Sequence, residues 1–102
     1  MIDIKDLRKS CDENRVTITQ HATLRLLERG ITMSDIVTVI KTGEIIRQYE
    51  DDKPFPSCLV LGQGDTGLAI HTVVSHDGVI MYVITGYYPD PNIWQGNLKI
   101  KK

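Results

Sequence analysis

The sequence predicts an α+β fold, in which N-terminal helices pack on a mostly antiparallel four-stranded sheet. Helix caps and apolar residues at helical spacing are confined to the first half of the chain, and strand-like runs joined by short turns fill the second half. A length of 102 residues suits one domain. We therefore expect a single domain over 1–102, with a helical part over about 2–43, a sheet over about 44–88 and an irregular tail over 89–102.

Three helices are predicted from polar N-caps that precede amphipathic stretches and from stop signals that follow them. Asp3 caps the first helix, and Gly30 ends the second. The third opens with a capping box of Thr32 and Asp35 and stops at Gly43. The expected helical ranges are about 3–13, 20–29 and 32–42, and residues 16–19 are expected to be a short extended connector.

Four strands are expected after the helices, over about 44–49, 58–62, 68–75 and 79–87. The links between them are short, and Asp77-Gly78 is a hairpin signal, so successive strands should form an antiparallel meander. The last two strands are apolar at most positions. We therefore expect them near the centre of the sheet, with the helices covering one face.

Charge and composition exclude several classes of protein. The net charge is −1, from 12 basic and 13 acidic residues, which argues against a large basic nucleic-acid surface but leaves room for a small basic patch. The longest apolar-rich run, over 79–88, is too short to span a bilayer, and the N-terminus has no apolar core of a secretion signal. We expect a cytoplasmic protein without a membrane segment.

Cys11 and Cys58 fit no redox or zinc spacing and are expected to be free thiols.

The second helix is the most informative segment for function. One arc of its helical wheel carries polar side chains, namely His21, Arg25, Glu28 and Arg29. Adjacent cations in such a row can hold a phosphate, and an imidazole beside them can move protons near neutral pH. The alternative is an ordinary solvated face with an Arg25–Glu28 ion pair. The wheel predicts that Arg25 and Arg29 are exposed and that Leu24 and Leu27 are buried.

Three further residues lie in the strands and their turn. His71 sits in an apolar strand, where a histidine is either a hydrogen-bonded core residue or a catalyst. His76 falls in a turn and is expected to be exposed and passive. Tyr87 ends the last strand, where a tyrosine can donate a proton, stack on a base or simply pack. The histidines have no metal-ligand spacing, so we expect no metal and no cofactor.

Four short patterns follow one another along the chain: His21-x3-Arg25-x3-Arg29-Gly30-Ile31, Gly43-x-Ile45-Ile46, His71-x-Val73-Val74 and Ile84-Thr85-x-Tyr87-x-Pro89. This ordered set, over about Thr19 to Pro89, resembles a prokaryotic family of domains of unknown function, the DUF4258 type, which in turn distantly resembles RelE-type ribonuclease toxins. The resemblance implies a RelE-like α+β fold and a toxin that is paired with an antitoxin carrying a small zinc-finger domain. It also implies a set of site residues: His21, Arg25, Arg29, His71, Thr85 and Tyr87.

Two functions follow as hypotheses. The first is a metal-independent endoribonuclease, in which His21 or His71 moves protons, Arg25 and Arg29 stabilise the phosphate, and Tyr87 stacks or donates. The second is a non-catalytic binding module, whose cationic helix docks an acidic protein partner while the histidines are structural. A small-ligand binder is a third class, for which the sequence has no fingerprint.

Geometry separates the first two hypotheses. If His21, Arg25 and His71 converge in one cleft, the endoribonuclease hypothesis gains support. If they point apart, the binding-module hypothesis gains support. We expect His71 to share a cleft with His21, with Tyr87 near its rim. The mild acidity of the chain and the lack of Lys or Arg in its central strands distinguish it from better-known ribonuclease toxins and argue against strong RNA binding.

Overall fold

The computed structural model describes residues 1–102 and contains three helices and five strands. The helices are α1 (Ile4–Asp12), α2 (Gln20–Glu28) and α3 (Met33–Thr42). The strands are β1 (Val16–Ile18), β2 (Glu44–Tyr49), β3 (Ser57–Gln63), β4 (Ala69–His76) and β5 (Met81–Tyr87). The α+β class that the sequence predicts is confirmed.

The sheet is mixed, with the strand order β1-β5-β4-β3-β2. β1 runs parallel to β5, whereas the other neighbouring strands are antiparallel. The expectation of four antiparallel strands was therefore wrong, because the predicted connector over 16–19 contains a fifth strand. Three residues are too few for an alternating pattern to be recognised, and their partner, β5, is distant in sequence.

The predicted helix ends are confirmed. The Asp3 side chain accepts a hydrogen bond from the backbone N–H of Lys5 at the start of α1. Gly30 has φ +70° just after α2, the left-handed conformation that glycine adopts without strain. Both hydrogen bonds of the Thr32–Asp35 capping box are present at the start of α3.

The two faces of the sheet have different covers. The helix face packs on α1, α2 and α3 and carries the main apolar core, which includes Cys58, Val60, Ile70, Val74, Met81 and Val83. The opposite face, here called the tail face, is partly covered by residues 89–102, as contacts of His71 with Trp94 and Leu98 show. Trp94 is 4% exposed and so anchors the C-terminal tail on the sheet.

A bulge in β5 decides which side chains reach the tail face. The register between β4 and β5 shifts so that Ile84 is an extra residue in β5. Beyond it, Thr85 and Tyr87 lie on the tail face, and Gly86 faces α2. A Cβ at Gly86 would lie 2.9 Å from the Leu26 side chain, so α2 sits directly against this part of β5.

The expectation that Leu24 and Leu27 are buried was wrong. These side chains are 50% and 72% exposed, whereas Ala22 and Leu26 are buried. α2 packs against β5 beside the short edge strand β1, so only the narrow stripe of Ala22 and Leu26 meets the core. The polar arc is placed as predicted, because His21, Arg25, Glu28 and Arg29 are all exposed.

None of the three helices has the length and apolar character needed to cross a membrane.

Cys11 and Cys58 are buried as separate free thiols. Burial raises the pKa of the Cys58 thiol to about 12 and also raises the pKa of Cys11. Both cysteines are therefore protonated core residues at neutral pH.

Asp35 ties α3 to the turn between β3 and β4. One carboxylate oxygen accepts the Thr32 N–H at 2.9 Å, and the other accepts the Asp65 N–H at 2.8 Å. These backbone hydrogen bonds hold the pKa of this buried carboxyl group below its usual value. The charged form of Asp35 is thus the one that stabilises the fold.

We predict that Asp35→Asn destabilises the protein by about 1–3 kcal/mol at neutral pH, because an amide offers only one oxygen to two N–H donors. The lowered pKa of Asp35 gives a contribution that is complete above the unfolded-state pKa of about 3.9 and is lost as the pH falls through the folded-state pKa. The difference between wild type and variant in urea unfolding should therefore shrink in acid. Asp51→Asn, at an exposed position outside the helices and strands, is the control and should show neither effect.

Candidate functional site

Four of the six candidate residues form one connected site at the end of β5. Arg29 follows α2 and reaches the β5 backbone, Thr85 and Tyr87 lie on β5, and His71 lies opposite Tyr87 on β4. Arg29 is exposed, Thr85 and Tyr87 are half-buried, and His71 is fully buried. Arg29, Thr85 and Tyr87 are therefore at least partly open to solvent, whereas His71 is not.

The guanidinium of Arg29 is held in place by two hydrogen bonds. Its Nη1 donates to the Gly86 carbonyl at 2.9 Å and to the Thr85 hydroxyl at 3.2 Å. Its Nε and Nη2 groups have no partner in the protein, so three of the five N–H donors remain free. A fixed guanidinium with a free fork of donors is suited to a phosphate or carboxylate group.

His71 holds the hydroxyl of Tyr87. Its Nε2 is 2.7 Å from the Leu98 carbonyl, which can only accept, so Nε2 carries a hydrogen. Burial lowers the pKa of His71, although the bond to Leu98 opposes this, and the ring is neutral at pH 7. Its Nδ1 is then an acceptor, and the Tyr87 hydroxyl, 3.3 Å away, donates to it.

Tyr87 is a protonated phenol at neutral pH. Burial raises its pKa, Tyr49 adds to the rise, and the positive charge of Arg29 opposes it. The group can therefore donate a hydrogen bond or a proton but cannot act as a base. Edge-on contacts of the His71 ring with Trp94 and Tyr87, with centroids 4.4 Å and 5.4 Å apart, fix the imidazole beneath the tyrosine.

His21 and Arg25 are not part of this site. They lie on the exposed face of α2, and His21 is eight residues before Arg29, which is about 12 Å along a helix. The expectation that His71 shares a cleft with His21 was wrong, because His71 lies on the tail face, with α2 on the other side of the sheet. Arg25 forms a 3.4 Å ion pair with Glu28.

His76 is also placed differently from the expectation, since it is 8% exposed rather than open to solvent. Its Nδ1 accepts the Gly78 N–H, so in the neutral ring Nε2 is the donor. Nε2 lies 2.9 Å from the Ser10 hydroxyl, and that hydroxyl donates to the Val79 carbonyl. The histidine thus donates to the serine, and the pair is not a nucleophile with its base.

Sequence reasoning missed Tyr49 as a neighbour of the site. This residue ends β2 and is 37% exposed, and it is close enough to Tyr87 to contribute to the rise in its pKa. Only the pairing of β2, β3, β4 and β5 brings the two residues to one face, and no local motif marks that pairing. No group of three or more His, Cys, Asp or Glu side chains is arranged to hold a metal ion.

Comparison with known protein families matches residues 18–88 to the family described as Domain of unknown function (DUF4258). No curated protein and no solved structure matches the chain. The matched region contains all six candidate residues, whereas Trp94 and Leu98, which cover His71, lie outside it.

We predict that His71 makes the fold sensitive to acid. Its pKa is lowered on folding, so its contribution is complete above the unfolded-state pKa of about 6.5 and is lost as the pH falls toward the folded-state pKa. His71→Gln keeps a donor for Leu98 and an acceptor for Tyr87 but cannot titrate. The melting temperature of wild type should therefore fall more than that of His71→Gln between about pH 7.5 and about pH 5.

The control is His21→Gln, which changes an exposed histidine and should retain the acid sensitivity of wild type. Equal acid sensitivity in wild type and His71→Gln would show that His71 is not the group responsible.

Proposed function

We propose that this chain, which belongs to the DUF4258 family, is a metal-independent endoribonuclease that acts as the toxin of a toxin–antitoxin pair. The observation that carries the proposal is the proximity of Arg29 to Tyr87. A guanidinium with free N–H groups lies near a phenol that is protonated at neutral pH, and both side chains are at least partly exposed. RNA strand scission needs a cation at the phosphate and an acid at the leaving oxygen.

The proposed reaction is attack of the RNA 2′-hydroxyl on the adjacent phosphorus. The 2′-oxygen–phosphorus bond forms, the bond from phosphorus to the 5′-oxygen breaks, and Arg29 stabilises the charge on the pentavalent phosphate. The Tyr87 hydroxyl turns away from Nδ1 of His71, gives its proton to the departing 5′-oxygen and regains one from water. The proton of the 2′-hydroxyl passes to water, because the imidazole of His71 is buried and is bonded to Tyr87 and Leu98. The products are a 2′,3′-cyclic phosphate and a free 5′-hydroxyl.

His71 and Thr85 are positioning residues in this proposal. Thr85 and the Gly86 carbonyl fix the guanidinium of Arg29, and His71 fixes the hydroxyl of Tyr87. A fixed guanidinium needs no rearrangement when charge develops, so it stabilises a transition state better than a mobile one does. A surface that only attracts an acidic partner has no such need for a fixed guanidinium.

A non-catalytic docking module is the second candidate, and the separation of His21 from His71 favours it. The exposed row of His21, Arg25 and Arg29 lies beside the exposed Leu24 and Leu27. A cationic and apolar helix surface suits an acidic protein segment with apolar side chains. The resemblance to toxins makes an antitoxin encoded by a neighbouring reading frame the partner to test first.

We predict that Arg29→Ala and Tyr87→Phe each lower the rate of RNA cleavage by about 100-fold or more at a temperature at which both variants are folded. The measurement is the release of fragments with 2′,3′-cyclic phosphate ends from labelled RNA in the presence of a chelator. Growth arrest on expression without the neighbouring reading frame should be lost in the same two variants.

Matched controls are available for both positions. Arg25→Ala removes the preceding arginine of the α2 row, and Tyr88→Phe changes the adjacent exposed tyrosine, so both should retain cleavage. If wild type cleaves no RNA, and if Arg25→Ala and Arg29→Ala weaken binding of the neighbouring gene product equally, the docking module is the correct function.

A further inference from the structure

A row of paired residues crosses the tail face from one strand to the next. Arg47 on β2 pairs with Leu59, Leu59 pairs with Val73 on β4, and Val73 pairs with Thr85 on β5. Residues that pair directly across strands project from the same face of a sheet. Thr85 accepts a hydrogen bond from Arg29. The row therefore has an arginine at each end.

Arg47 is exposed, and its guanidinium has no hydrogen-bond or ion-pair partner in the protein. Three strand spacings of about 4.8 Å place Arg47 roughly 14 Å from Thr85. Between them lie the buried Leu59 and the half-buried Val73. A second cation with free N–H donors therefore lies toward the same face as the site at Arg29, on the far side of the buried Leu59.

Tyrosines flank this row on both sides. Tyr87 belongs to the neighbouring row, opposite His71, and Tyr49 belongs to the row on the other side, opposite Ser57. Both rings are at least partly accessible. The acidic side chains beside the row are already engaged, since Glu44 forms an ion pair with Lys99 and Asp52 accepts a hydrogen bond from Ser57.

We infer that the tail face binds a short segment of single-stranded RNA across the strands, with one phosphate at Arg29, another at Arg47 and a base stacked on Tyr49. This inference rests on the proposed function and adds Arg47 and Tyr49 as binding residues. Separated cations with aromatic rings beside them suit single strands, whose unpaired bases are free to stack. A duplex keeps its bases stacked inside and leaves the rings without a partner.

The test is fluorescence anisotropy with a labelled 2′-O-methyl oligoribonucleotide of about 6–10 nucleotides, which binds but lacks the attacking hydroxyl. Arg47→Ala should weaken binding and reduce the slope of log affinity against log salt by about 0.7, the value for one lost phosphate contact on a single strand. Tyr49→Leu, which keeps an apolar side chain, should weaken binding about tenfold through the lost stacking.

Two variants serve as controls. Arg15→Ala removes an exposed arginine whose side chain pairs with Glu13, and Tyr88→Leu removes an exposed ring beyond the end of β5. Both should bind as wild type does, and a duplex of the same length should bind more weakly than the single strand.

The outcomes separate this inference from the proposed function. If wild type binds the oligonucleotide and Arg47→Ala and Tyr49→Leu bind equally well, the inference is wrong and the proposed cleavage at Arg29 and Tyr87 stands. If both variants bind weakly but wild type cleaves no RNA, the binding surface stands and catalysis does not. If wild type does not bind the single strand, the proposed binding surface and the proposed RNA cleavage are both wrong.

Discussion

The candidate site depends on how β5 is paired along its length. β1 has only three residues and pairs with β5 no further than Val83, so the second half of β5 has a partner on one side only. The Gly86 carbonyl lies in this open half and needs a donor, which Arg29 supplies. The bulge at Ile84 then turns Thr85 and Tyr87 to the tail face, where His71 lies. A regular strand would have placed Thr85 and Tyr87 on the helix face instead.

Close backbone packing positions the sheet that carries this site. A Cβ at Gly43 would lie 2.3 Å from the Leu61 carbonyl oxygen, and one at Gly62 would lie 2.6 Å from the Val39 carbonyl oxygen. The end of α3 therefore touches β3 with no room for side chains, which explains why both positions are glycine. At the other end of α3, Asp35 holds the turn that leads into β4. The helix thus fixes both of these strands.

Local signals in the sequence were sufficient for most of the fold. The three helices, their caps and the four long strands are encoded by short-range patterns such as Thr32 with Asp35 and the glycine after α2. β1, the bulge at Ile84 and the exposure of Leu27 depend on contacts between distant segments. A helical wheel shows which residues share an arc but not how much of that arc the rest of the chain covers.

The candidate site was predictable only in part, because its residues are also brought together by contacts between distant segments. Arg29 was indicated by the helical wheel, Tyr87 by its place at the end of the last strand and Thr85 by the resemblance to a family, and the structure brings the three together. The position of His71 relative to α2 depends on which face of β4 the helices cover, and alternation within one strand leaves that choice open. Arg47 and Tyr49 become neighbours of the site only through the register of β2 and β3, which no local pattern records.

Net charge also describes this molecule poorly, because most of its charges are committed to the fold. Asp35 holds two backbone N–H groups, Asp77 holds the turn before β5, and Glu44 is paired with a lysine of the tail. Arg29 retains three free N–H donors, and Arg47 has no partner. Two arginines near the tail face thus keep free N–H donors although the whole chain carries a charge of −1. A chain of mild acidity can hold phosphate groups when its acids are engaged elsewhere and two such arginines lie toward one face.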